Sequence, residues 1–108
     1  MTPKFNLWLE INEQVAFSIW RANLLKAVAE HGSISQAANQ LGIQYRTAWQ
    51  KINEMESRIG LKLIETQIGG SHGGGAHLTP AAQEYLAKFD QFAAEVEQAV
   101  QSAYHNHF

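Results

Sequence analysis

Between His31 and Gln44 the chain can hold one short helix bounded by two sharp turns, and that restricts how the flanking segments can cross. Gly32 suits the left-handed position that closes a helix. Ser33-Ile34-Ser35-Gln36 has the capping-box form, in which Ser33 and Gln36 satisfy each other's free backbone donors. Ile34, Ala37, Ala38 and Leu41 make the apolar stripe of the helix, and its alanines allow close approach of a neighbour. Gly42 ends it. The turn Gly42-Ile43 is short enough that the next helix must cross the first.

The rest of the chain reads as elements packed around that pair. Phe5, Leu7, Leu9 and Ile11 alternate with Asn6, Trp8 and Glu10, Asn12-Glu13-Gln14 is a polar break, and Val15, Phe17 and Ile19 resume the alternation, which predicts an N-terminal β-hairpin. Trp20, Leu24, Ala27 and Val28 then follow helical spacing up to His31-Gly32. A helix is predicted from about Gln44 to Ile59, with Ala48, Ile52, Met55 and Ile59 on its core face. Leu61 to Ile68 and Ala76 to Leu78 read as two strands joined by Gly69 to Gly75, a loop of five glycines with Ser71 and His72. Thr79 followed by Pro80 is a strong helix start.

In that last helix Ala82, Leu86, Phe89, Ala93, Val96, Val100 and Ala103 keep heptad spacing, with Tyr85, Phe92 and Ala99 as a flanking apolar row. From Pro80 to Tyr104 it would run for ~37 Å. Such a seam can pack on the chain's own core, but a short domain can hardly cover a helix that long. Leu86, Phe89, Ala93, Val96 and Val100 are therefore the expected dimerisation residues. The expected fold class is mainly α with small β-hairpins: a winged helix-turn-helix with an N-terminal β-hairpin and a long C-terminal dimerisation helix, as a single domain over 1–108.

Composition narrows the function. A chain of 108 residues is one domain able to bury a core, and without cysteine it has neither a disulfide framework nor a thiolate metal site. It shows no secretory pattern and no apolar run near the ~18 residues that span a bilayer, so a soluble cytoplasmic protein is expected. The net charge of −2 hides an asymmetry. Arg21, Lys26, Arg46, Lys51, Arg58 and Lys62 outnumber Glu30, Glu54 and Glu56 in the middle, whereas after Thr79 only Lys88 opposes Glu84, Asp90, Glu95 and Glu97; scattered solvation charge is the plainer alternative. A basic centre and an acidic end matter more for binding than the sum.

The stripe Arg46, Gln50 and Asn53 on the third helix can be a solvated face, but it is also the set that makes paired hydrogen bonds to guanine or adenine edges. Gln44, Tyr45, Arg46, Thr47, Gln50 and Asn53 are the candidates for major-groove contact. Ser33, Ser35 and Gln36 lie at a helix N-terminus, which favours an anion. Lys51 and Arg58 are either phosphate neutralisers or ordinary surface charges, and Trp49 is a scaffold residue more readily than a reader. In the glycine loop Ser71, His72, Gly73 and Gly74 would touch the DNA backbone or minor groove; a simple hairpin connection is the plainer alternative, and Ala76-His77 after the glycines argues against a P-loop. His72 with His77, and His105 with His107, lack a third ligand in register, so no metal or other cofactor is expected. No catalytic grouping is legible, so no enzyme is expected.

Gly32-Ser33-Ile34-Ser35-Gln36-Ala37-Ala38, Tyr45-Arg46-Thr47-Ala48-Trp49, the paired glycines Gly69-Gly70 with Gly73-Gly74-Gly75, and Leu78-Thr79-Pro80 resemble the N-terminal DNA-binding domain of the ModE family of molybdate-responsive transcriptional regulators. The LysR-type winged helix shares the helix pattern but not that wing. The resemblance implies a homodimer that binds a palindromic operator in double-stranded DNA and regulates genes of molybdate or metal-oxyanion transport or metabolism. It places Ser33, Gln36, Tyr45, Arg46 and Trp49 in the DNA-facing segment and Ser71 to Gly75 in the wing. Gln44 departs from a common serine cap and Arg46 from a common lysine; arginine grips a guanine edge or phosphate with two donors. Full-length ModE proteins carry molybdate-binding domains after this one. With the chain ending at Phe108, the expectation is action without an effector, through a separate effector-binding protein, or in response to another signal. The acidic, aromatic-rich last helix supports one alternative, a winged-helix module that pairs with another regulator without specific DNA binding.

Overall fold

A computed structural model describes residues 1–67 and 75–108. The N-terminal hairpin pairs β1 (Trp8–Ile11) antiparallel with β2 (Gln14–Ser18). Asn12 and Glu13 turn it with φ of 52° and 65°, left-handed values whose twist matches the flanking strands. Three helices follow: α1 (Ile19–His31), α2 (Ile34–Leu41) and α3 (Tyr45–Ile59). A second antiparallel pair, β3 (Ile64–Gln67) with β4 (Gly75–Leu78), leads into α4 (Pro80–His107).

The helix ends lie where local chemistry places them. Ser18, Ser33 and Thr79 cap α1, α2 and α4, each side-chain oxygen accepting a backbone N–H from the first turn. Gln44 makes no such bond, so α3 starts at Tyr45 on its backbone alone. Gly42, at φ 69°, closes α2 while the Ile43 N–H returns to the Ala38 carbonyl at 3.0 Å, which sets the entry into α3. A Cβ at Gly42 would meet no atom within 4 Å. Gly42→Ala is therefore expected to cost about 1 kcal/mol through backbone strain alone, readable as a lower urea midpoint at an unchanged m-value.

The core gathers Leu24, Leu25 and Val28 of α1, Ala37 and Ala38 of α2, and Ala48, Ile52 and Met55 of α3. Phe17 closes it from β2, fully buried and edge-to-face with Tyr85 and Phe89 of α4 at 5.0 and 4.9 Å. The hairpin is thus part of the core. The wing base is tied down as well: the Ala76 N–H donates to the Gly32 carbonyl at 2.9 Å, and the Thr79 hydroxyl to the Lys62 carbonyl at 2.6 Å.

Two expected stripes shift by a residue or a segment. Trp20, placed by spacing on the buried face of α1, is 38% exposed, whereas Arg21 beside it is only 6% exposed. Arg21 can be buried because both ends of its guanidinium are satisfied within the fold, as described below. On α4, Ala82, Leu86 and Phe89 are buried in the chain's own core, so Leu86 and Phe89 are already covered within one chain. Ala93, Val96 and Val100 are only half-buried and Phe92 is 42% exposed. α4 has 28 residues, about 42 Å at 1.5 Å per residue, and its distal half projects. The radius of gyration of 16.0 Å, against about 13 Å for a compact chain of this size, reflects that projection.

Candidate nucleic-acid interface

α3 lies across the surface with its core face on α1 and α2 and its other side open. Gln44, Tyr45, Arg46, Gln50 and Asn53 are exposed and Thr47 is half-buried. Arg46, Gln50 and Asn53 line an open groove of about 710 Å³, joined by Ser57 and by Gln14 from the hairpin. On the other flank of α3, a groove of about 540 Å³ separates Tyr45 and Trp49 from Ser33 and Ser35 of α2 and from Thr66, Gln67 and Gly75 at the wing base. Gln36 is exposed, and its backbone N–H is held by Ser33 Oγ at 3.1 Å. Of the expected contact residues, Ser33, Ser35, Tyr45, Arg46, Gln50, Asn53 and Arg58 line these two grooves, whereas Gln36, Gln44, Thr47 and Lys51 line neither. Ser71, His72, Gly73 and Gly74 lie outside the described residues.

Lys51 and Arg58 are engaged rather than free. Glu54 accepts from Arg21 Nη2 at 2.8 Å and has Arg58 Nη1 and Lys51 Nζ at 3.7 and 3.9 Å. Arg21 Nη1 donates to the Lys51 carbonyl at 3.2 Å, and Arg58 Nη1 to the Val15 carbonyl at 2.7 Å. The Arg21 hydrogen bond holds the Glu54 carboxyl below its ordinary range, with the Lys51, Arg21 and Arg58 charges adding to the effect and burial opposing it. Three cations share one carboxylate, so the patch stays positive while fixing α3 to α1 and β2. Among the described residues, Arg46 is the cation of α3 outside any ion pair within 4.0 Å.

Gln14, Ser57, Thr66 and Gln67 are the residues of this face that sequence reasoning left out, and it did not expect Arg21 to be buried. Arg21 carried a legible sign: it falls at i, i+4, i+7 with Leu25 and Val28, a cation inside an apolar stripe. Gln14 and the strand residues carried none, because their place beside α3 depends on how distant segments pack. Among the described residues no group of three or more His, Asp or Glu is placed to hold a metal ion. His77 instead faces Glu65 across β3 and β4 at 3.1 Å. No helix among these residues is long and apolar enough to cross a membrane.

The chain is 39% identical over 93 residues to the DNA-binding transcriptional dual regulator ModE of Escherichia coli (strain K12), a match covering 86% of this chain and 36% of that protein. It is 47% identical over 64 residues to the molybdenum transport protein ModE of Herbaspirillum seropedicae, covering 59% of this chain and 24% of that one. The chain therefore spans only 24% to 38% of the length of the curated relatives it matches. In fold it is similar to the CbnR_DBD–DNA complex, with a TM-score of 0.61 and 22% identity over 79% of this chain and 92% of that one. The BenM_DBD/benA site 1 DNA complex gives 0.58 and 24% over 78% and 89%. The two solved structures share the winged-helix fold of this chain, and the Escherichia coli relative is named a transcriptional regulator. Residues 21–83, from the buried Arg21 to the first turn of α4, match the family described as bacterial regulatory helix-turn-helix protein, lysR family, and the chain belongs to that family.

Proposed function

We propose that the protein is a sequence-specific DNA-binding transcriptional regulator that acts as a homodimer on a palindromic operator. The observation that carries this reading is the open face of α3, where Arg46, Gln50 and Asn53 stand exposed in one groove beside a positively charged patch. Gln44, Tyr45 and Thr47 extend that face at the N-terminal turn of α3, while Ser33, Ser35 and Gln36 meet the backbone from α2. The wing residues Ser71 to Gly74 would take the flanking phosphates or minor groove. Two copies joined through α4 would place two recognition helices on half-sites about one or two DNA turns apart. Relatives named for molybdenum transport and molybdenum-pterin binding support target genes in molybdate or metal-oxyanion transport or metabolism. A DNA target places the protein in the cytoplasm.

Selection of genomic fragments by the purified protein, with and without molybdate, tests the reading and yields the operator. Enrichment of a palindrome is expected; absence of any salt-sensitive shift at low ionic strength would refute it. With the operator in hand, Arg46→Ala is expected to lose about 1–3 kcal/mol of specific affinity, or roughly 5- to 150-fold, with a smaller loss on unrelated DNA. Equal losses on both would reassign Arg46 to a phosphate.

A further inference from the structure

Trp49 is half-buried and packs on the core, yet its indole N–H is directed along the surface of α3. It donates to the hydroxyl oxygen of Tyr45, one turn earlier. The rings meet edge to face, with centroids 6.4 Å apart and planes at 85°. An indole nitrogen can donate but not accept, so the direction of the bond is settled. Tyr45 Oη is the acceptor, and its own proton must point away from the indole. Accepting that bond also polarises the O–H and makes it a better donor.

The hydroxyl belongs to a residue that borders a groove where a donor is useful. Tyr45 is 52% exposed and borders the groove shared with Ser33, Ser35, Thr66 and Gln67. No carboxylate is among the described residues lining that groove, and each of these polar side chains can donate. The ligand chemistry that fits is an anionic oxygen of a phosphodiester. We propose that Trp49 is a positioning residue: it reads no base, but holds the Tyr45 hydroxyl oriented as a donor to a backbone phosphate. This rests on the DNA-binding reading above and gives Trp49 a role distinct from both core packing and base contact.

The test uses the full chain with Trp49→Phe, Tyr45→Phe and the double variant, titrated against the selected operator duplex and an unrelated duplex of equal length. Each single change is expected to weaken binding to both duplexes by about five- to tenfold. The double variant should bind no worse than Tyr45→Phe, because Trp49 acts only through that hydroxyl. The dependence of affinity on salt should keep its slope, since a neutral donor releases no counterion. Trp49→Phe binding like wild type, or a further loss from Trp49→Phe when Tyr45 is already Phe, would overturn the proposal while DNA binding stands. A wild-type protein that binds neither duplex would overturn both.

Discussion

Glu54→Ala is expected to lower the unfolding free energy by about 3 kcal/mol, a large share of the ~5–15 kcal/mol that holds a domain together. The reason is the charge left behind. Arg21 is 6% exposed, and Glu54 is its ion-pair partner within 4.0 Å. Without that carboxylate the guanidinium keeps, among the described residues, only the Lys51 carbonyl and faces two further cations, Lys51 and Arg58. Glu54→Gln preserves an acceptor and should cost less. Urea unfolding of the three proteins at neutral pH reads the order directly.

The pH dependence follows from the same contact. The Glu54 pKa lies below its ordinary value of 4.5 in the folded chain, chiefly through the Arg21 hydrogen bond. A depressed folded pKa gives stability that is complete above the unfolded value and disappears as pH falls through the folded one. Wild type should therefore lose stability below about pH 4.5 more steeply than Glu54→Gln, whose position 54 does not titrate. Identical acid profiles for the two would contradict this account. DNA affinity should fall along with stability, because the network also fixes β2 to α3 through Arg58 and the Val15 carbonyl.

Val96→Glu is expected to turn the proposed dimer into a monomer and to weaken operator binding by at least ~100-fold. Val96 lies on the distal half of α4, half-buried and outside the core cluster that contains Ala82, Leu86 and Phe89. Together with Val100 and the 42% exposed Phe92, it forms an apolar row beyond Ala93, the last residue of α4 that packs on the chain's own core. In a two-fold assembly each copy would bring the introduced carboxylate to the same seam, so a single substitution desolvates two like charges. The monomer fold should survive, since Val96 supports nothing in the core. Sedimentation reads the mass, and anisotropy with full and half operators reads the lost linkage. A Val96→Glu protein that remains dimeric would move the interface elsewhere.

Leu86 shows why the seam was legible only in part. Heptad spacing identifies the face of α4, and that face is continuous from Ala82 to Ala103. Spacing cannot say where intramolecular cover ends. That point is set by the packing of distant segments: Phe17 arrives from β2 against Tyr85 and Phe89, and the contact with the core runs as far as Ala93. Trp20 and Arg21 exchanged places for a similar reason. A helical stripe counts an arginine as exposed, and only the position of Glu54, on a helix 33 residues away in sequence, makes its burial tolerable.

Residues close together in the chain specify the local events: the caps at Ser33 and Thr79, the left-handed closures at Gly32 and Gly42, and hence the short α2 leading across into α3. Capping bonds and positive φ involve residues within a few positions of one another, so nearby residue types suffice to set them. Packing in three dimensions settles the rest: which cations are engaged, which half of α4 is left open, and which donor the Tyr45 hydroxyl oxygen accepts from. Two of these depend on contacts between segments far apart in the chain, and the third on a choice of rotamers one helical turn apart. Periodicity carries information on neither.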